Sequence, residues 1–197
     1  IHRMYPDTGE IEAYAGTGVE AMLDGPVATA AFAQPSGLSA WGATLYVADS
    51  ETSAVRAIDL ARGTVRTLVG EGLFDFGDAD GDEGEALLQH GLGVAAVPGG
   101  VLVADTYNGK IRRVTDDPAG VGVRTVLDGL SEPGSIAVTE GGAWIIADTN
   151  AHRVLRVDRH ASDRARVTPL AVRGAPAPIT GVAGAPQSRA PRRDSVP

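Results

Sequence analysis

Carboxylates are the side chains best placed to do chemistry in this chain, and three of them recur at matching points. Asp49 closes the run Leu45-Tyr46-Val47-Ala48, Asp105 closes Leu102-Val103-Ala104, and Asp148 closes Ile145-Ile146-Ala147. A hydroxyl residue follows each (Ser50, Thr106, Thr149), and an apolar residue returns six positions after each Asp, at Val55, Ile111 and Val154. Acid–base or nucleophilic work needs one carboxylate in one tuned place, so three equivalent copies argue against catalysis. A structural use fits better. An Asp side chain accepts hydrogen bonds from backbone amides two residues on and so holds a tight turn where a buried strand reverses. Asp49, Asp105 and Asp148 are therefore expected to be structural turn residues of a repeat, and no catalytic residue is assigned.

A second carboxylate group, Asp78, Asp80 and Asp82, has the one-three-five spacing of an EF-hand calcium loop. Glu83 stands where that loop requires glycine, and Gln89 where it requires a bidentate glutamate, so a complete EF-hand is excluded and these three are weak calcium candidates at most. The competing reading is a connection between repeats. Asp24-Gly25 before Ala31-Phe32-Ala33-Gln34 parallels Asp80-Gly81 before Ala86-Leu87-Leu88-Gln89. Each predicts a short helical turn with Asp24 or Asp80 near its start and Pro26 tolerated in its first turn. Phe32, Phe74, Phe76 and Leu87 are expected to pin these connections down. Gly16-Thr17-Gly18-Val19-Glu20-Ala21 matches a loose dinucleotide fingerprint but lacks the long helix that motif needs, and Gly70-Glu71-Gly72 repeats its glycines. Both read as turns, so no cofactor is expected. The histidines His2, His90, His152 and His160 fall at unlike positions of the repeat; His90 is expected near a channel mouth, and the four do not converge as a metal site requires.

The elements that carry these residues repeat with them. Gly93–Val97, Val101–Ala104, Lys110–Thr115 and Val123–Leu127 are four short apolar or alternating runs separated by Pro98-Gly99-Gly100, Tyr107-Asn108-Gly109 and Asp116-Asp117-Pro118-Ala119-Gly120. That pattern predicts four antiparallel strands, the blade of an all-β propeller. The first unit repeats it over 37–40, 44–48, 54–59 and 64–69, and the third over 135–139, 143–147, 153–158 and 166–171. Ile1-His2-Arg3-Met4 aligns with Val55-Arg56-Ala57-Ile58, and Ile11 to Ala15 with the outer run after it. The prediction is about three and a half blades, roughly fourteen strands, and a chain that is the C-terminal part of a longer protein.

Asp105-Thr106-Tyr107-Asn108-Gly109-Lys110-Ile111 and Asp148-Thr149-Asn150-Ala151-His152-Arg153-Val154 resemble the NHL repeat. Asp49-Ser50-Glu51-Thr52-Ser53-Ala54-Val55 departs from it in lacking the Asn, the His and the basic residue. Gly91 and Ser135 also replace parts of the Pro-x-Gly entry that Pro35 and Pro133 begin. The resemblance covers about residues 1 to 172 and implies a propeller of four-stranded blades, usually closed with six. Gly72-Leu73-Phe74-Asp75-Phe76-Gly77-Asp78 with Gln89-His90 resembles the subgroup in which the propeller follows a thioredoxin-like domain. That subgroup's redox cysteines lie outside its propeller, so none carries over. Some similar propellers are metal-dependent lyases.

Composition narrows the function classes. Residues 1–158 carry ten basic against 23 acidic side chains, and an acidic body is a poor match for nucleic-acid phosphates. There is no cysteine, hence no thiol catalysis or zinc–thiolate site here. No apolar run approaches the ~18 residues of a membrane span. Residues 173–197, rich in Ala, Pro and Arg, are expected to form a disordered tail beside a propeller domain over 1–172. The expected function is a non-catalytic binding scaffold, with an unknown protein or small molecule at a propeller face and residence in the cytoplasm. The alternatives are the propeller portion of a thioredoxin-like redox protein and, last, a metal-dependent lyase or hydrolase.

Overall fold

Period-two alternation makes each repeat bury both faces of its strands, one against the blade before and one against the blade after. A computed structural model describes residues 1–159 and 165–170. β1 (His2–Met4) and β2 (Ile11–Ala13) form an antiparallel pair. β3 (Gly25–Pro26), β4 (Pro35–Trp41), β5 (Thr44–Asp49), β6 (Ala54–Asp59) and β7 (Thr64–Val69) form blade one, in the order β3-β7-β6-β5-β4. β8 (Gly81–Asp82), β9 (Gly93–Val97), β10 (Gly100–Asp105), β11 (Lys110–Thr115) and β12 (Gly122–Leu127) form blade two, in the order β8-β12-β11-β10-β9. β13 (Pro133–Val138), β14 (Trp144–Asp148), β15 (Arg153–Arg159) and β16 (Ala165–Pro169) form blade three. The fold is an all-β propeller arc of four-stranded antiparallel NHL-type blades, with β1 and β2 as the outer half of one more. The predicted tail over 173–197 and His160 lie outside the described residues.

The strands fall where the alternation put them, with two additions. β3 and β8 lie in the connections that were expected to hold helical turns. Gly25, at φ +126°, and Pro26 pair with Val65 and Thr64 of β7, and the expected helical turn follows as a single turn in which the amides of Thr29 and Ala30 both donate to the Pro26 carbonyl at 2.9 Å. Gly81 and Asp82 pair with Val123 and Gly122 of β12 in the same way, and the amides of Glu85 and Ala86 donate to the Asp82 carbonyl at 3.0 and 3.2 Å to make the matching turn. Each connection thus clasps the outer edge of its blade and protects an otherwise open edge strand.

The cores lie between blades. Ala48, Val55, Ala57 and Leu68 of blade one meet Val94, Val101, Val103 and Val114 of blade two. Leu102, Ala104 and Ile111 then meet Ile136, Trp144, Ile146 and Leu155 of blade three. The innermost strands approach most closely, and glycine permits it. A Cβ on Gly37 would lie 2.6 Å from the carbonyl oxygen of Leu92, and one on Gly93 would lie 2.6 Å from the Cα of Ser135. Hydroxyls then latch the blades. Ser50 donates to the carbonyl of Gly91 at 2.8 Å, and Thr106 donates to that of Pro133 at 3.0 Å.

Gly93→Ala is expected to push blades two and three apart and to cost about 1–3 kcal/mol, as overpacking does. Urea denaturation measures it; an unchanged midpoint would mean that the inner strands are not in this contact.

Candidate functional site

The three repeated carboxylates are fully buried, and their partners lie far off in sequence. Asp49 accepts the amide of Ala33 at 2.7 Å, Asp105 that of Gln89 at 2.8 Å, and Asp148 that of Ser131 at 2.6 Å. These amides precede the entry strand of the same blade, so each Asp ties the end of the second strand to the start of the first. The expected bond to an amide two residues on is not the one they make. The residue directly after each bonded amide takes positive φ: Gln34 at 56°, His90 at 51° and Glu132 at 47°. The chain thus turns into the entry strand directly after the clamp.

An arginine seven positions after the Asp completes the clamp in two blades. Arg56 bonds Asp49 at 2.9 Å and Asp24 at 2.7 Å, and Arg112 bonds Asp105 at 2.9 Å and also Asp80. Asp24 in turn accepts the Thr67 amide at 2.9 Å, and Asp80 the Thr125 amide at 2.8 Å. Both arginines are buried although they sit on strands that should place them regularly in the sheet. A register shift falls beside each, between Val55 and Arg56 and between Ile111 and Arg112, and a bulge of this kind re-aims a side chain. In blade three the matching residue is Leu155 and the register of β15 with β16 is continuous. There the connection before the blade, 128–132, is short and Arg153 bonds Asp148 at 2.7 Å instead. The buried arginine therefore goes with the long connection that supplies its second carboxylate. The two clamps use the arginine Nε differently. Arg112 uses its Nε on Asp105, whereas the Nε of Arg56 is buried without a hydrogen-bond partner and its guanidinium lies over the Phe32 ring, 5.1 Å from the centroid.

Burial pushes the Asp49 and Asp105 carboxyls above the ordinary aspartate value, while the amide and arginine bonds pull them back. Their contribution to stability is thus fullest below that ordinary value and declines as pH rises through the folded-state value. Asp78 behaves oppositely. Lys110 at 2.6 Å, with Arg112 beside it, holds it below the ordinary value, so its contribution is lost as pH falls.

The other described candidates do not form a metal site. Asp78 and Asp80 are engaged by Arg112, and Asp82 lies in β8 on the outer edge of blade two. Among the described residues no group of three or more acidic, His or Cys side chains is arranged to hold a metal ion. His90 stacks on Tyr107 with ring centroids 4.7 Å apart, and His2 and His152 are exposed on separate blades. Phe32 is buried as expected, but Phe74 is 85% exposed and Phe76 is exposed too. They stand outside the connection rather than pinning it. Gly77, next to Phe76, accepts a 2.7 Å hydrogen bond from the Asn108 side chain, which brings this loop to the turn that carries Tyr107.

No family model matches the chain. It is 39% identical over 195 residues to Protein SUPPRESSOR OF QUENCHING 1, chloroplastic, of Arabidopsis thaliana, covering 86% of this chain and 18% of that protein. It is 42% identical over 157 residues to NHL repeat-containing protein 2 of Gallus gallus, covering 66% of this chain and 21% of that protein. The chain belongs to the NHL-repeat proteins. It spans about a fifth of the length of these relatives. Among solved structures, virginiamycin B lyase from Staphylococcus aureus superposes with a TM-score of 0.52 at 13% identity, over 87% of this chain and 48% of that one. A protein of unknown function from Bacteroides thetaiotaomicron gives 0.53 at 25% identity, over 62% and 30%. The lyase likeness is one of fold.

Two outcomes follow for the NHL clamps. Arg112→Leu leaves Asp105 buried with a missing cation and is expected to cost about 3–5 kcal/mol in urea denaturation. A cost below about 1 kcal/mol would mean that the pair is not part of what holds the blade. Added calcium is expected to leave the melting temperature unchanged, because Arg112 and Lys110 already neutralise Asp78 and Asp80. A rise that Asp82→Asn abolishes would restore the calcium reading.

Proposed function

We propose that this NHL propeller chain is a non-catalytic binding module that holds a protein partner on the side of blade two. The observation that carries this reading is the group of exposed aromatic side chains there. Phe74 and Phe76 stand out from a loop that the Asn108–Gly77 bond fixes to the turn carrying Tyr107, which is exposed too. Aromatic side chains exposed together are the usual anchors of protein interfaces. The buried carboxylates support the same reading, since each is committed to an arginine and a backbone amide and is closed to substrate. A redox role of the thioredoxin-like kind would rest on residues outside these 197, which contain no cysteine. Residence in the cytoplasm belongs to this proposal as well. No helix among the described residues is long and apolar enough to cross a membrane.

Affinity capture compared between the wild-type chain and the Phe74→Ser, Phe76→Ser, Tyr107→Ala variant tests the reading, with the captured protein then purified and titrated. The expected result is a partner that the variant binds at least about tenfold more weakly while melting normally. Equal binding by the variant would overturn it. So would turnover of a lactone or lyase substrate that Asp105→Asn abolishes.

A further inference from the structure

The connection into blade two carries more acid than the blade uses. Residues 70–85 hold seven acidic side chains and no basic one. Lys110 and Arg112 pair with Asp78, and Arg112 also pairs with Asp80. Among the described residues no cation pairs with Glu71, Asp75 or Glu83.

Glu71 and Glu83 line a cleft between blades one and two. Its volume is about 280 Å³, and Asp24, Leu68, Val69 and Ala86 line it with them. Asp24 is already committed to Arg56 at 2.7 Å and to the Thr67 amide at 2.9 Å. Leu68, Val69 and Ala86 belong to the core that the two blades share, so both walls of the cleft are packed blades. The space thus offers an apolar lining and two carboxylates without a cation. It is smaller than the ~300–1,000 Å³ of a cofactor-sized site and suits one side chain.

The cleft adjoins the exposed aromatic group. Glu71 is three residues from Phe74, so their Cα atoms lie no more than roughly 11 Å apart. An extended segment covers that distance in about three or four residues. Charge and lining together call for a cation on a long apolar stem, close to an apolar residue. The chain answers the same demand internally with arginine. Arg56 and Arg112 each span one carboxylate of the blade and one of the connection, which the forked guanidinium allows and a point charge does not.

We infer that this cleft takes an arginine side chain of the protein partner, with its guanidinium between Glu71 and Glu83 and an apolar residue of the same segment, about three or four positions away, on Phe74 and Phe76. The inference rests on the reading of this side of blade two as an interface, and it adds what the partner carries. Asp75, in the same loop, favours further basic residues in that segment.

The probe is an acetylated, amidated peptide with one arginine three positions before a leucine in a Gly/Ser background, titrated into the isotope-labelled 197-residue protein by NMR. The amide signals of Gly70, Glu71 and Gly84 are expected to move and to saturate. Citrulline in place of the arginine should abolish the shifts. Glu71→Gln with Glu83→Gln should weaken binding about fivefold or more, while Glu10→Gln with Glu140→Gln, which removes the same charge elsewhere, should change it about twofold at most. Equal loss in the two pairs would overturn the inference, because overall charge would then account for the binding. Absence of saturation, or shifts that citrulline retains, would overturn it too. Binding that the Phe74→Ser, Phe76→Ser, Tyr107→Ala variant loses and the Glu71→Gln, Glu83→Gln variant keeps would overturn the arginine cleft and leave the aromatic interface standing. Tighter binding by an Arg189→Ser, Arg192→Ser, Arg193→Ser variant would overturn the inference by making this chain's own arginines the occupant. Dimerisation that Glu71→Gln with Glu83→Gln abolishes would do so by making a second copy the occupant.

Discussion

A carboxylate taken fully out of water must be given partners, and most of what is particular to this chain answers that demand. Asp49, Asp105 and Asp148 each end the second strand of a blade inside the protein. An isolated buried charge would cost several kcal/mol. The amide before the entry strand is one partner, and it fixes where the blade begins. The arginine seven residues on is another. It needs a bulge to reach inward, and a second carboxylate to use the rest of its guanidinium. That second carboxylate comes from the connection, so Asp24 and Asp80 also set the course of chain that would otherwise be an unconstrained loop.

Blade three shows the alternative arrangement in the same molecule. Leu155 replaces the arginine, the bulge is gone, the connection is short, and Arg153 reaches Asp148 from the surface side. The features change together because they form one electrostatic unit. The half-blade at the start of the chain follows blade three in part, with His2 and Ala13 where blade one has Arg56 and Thr67.

The repeat was legible in the sequence because alternation and turn residues are local signals. β6, β7, β9 and β11 have the bounds that the pattern predicts. The role of the Asp residues was half legible. Burial at a strand end could be read, but the bonded amides lie 16 or 17 residues earlier, beyond any local rule. A signal for the clamp was present and unused: Arg56 and Arg112 accompany the long connections that carry Asp24-Gly25 and Asp80-Gly81, and Leu155 accompanies the short connection 128–132. The aromatic residues misled for a related reason. Apolarity predicts burial on average, but Phe74 and Phe76 sit in a loop whose own anchor is the polar Asn108–Gly77 bond.

The account rests on the carboxylate and the arginine acting as one unit inside a blade, and a double-mutant cycle on Asp49 and Arg56 tests that most directly. Asp49→Asn, Arg56→Leu and the double variant are compared with the wild type by urea denaturation. The account predicts a coupling of about 1–3 kcal/mol, with the double variant more stable than the sum of the single losses requires. Strict additivity would contradict it, and would leave the repeated Asp and Arg as independent features of the fold.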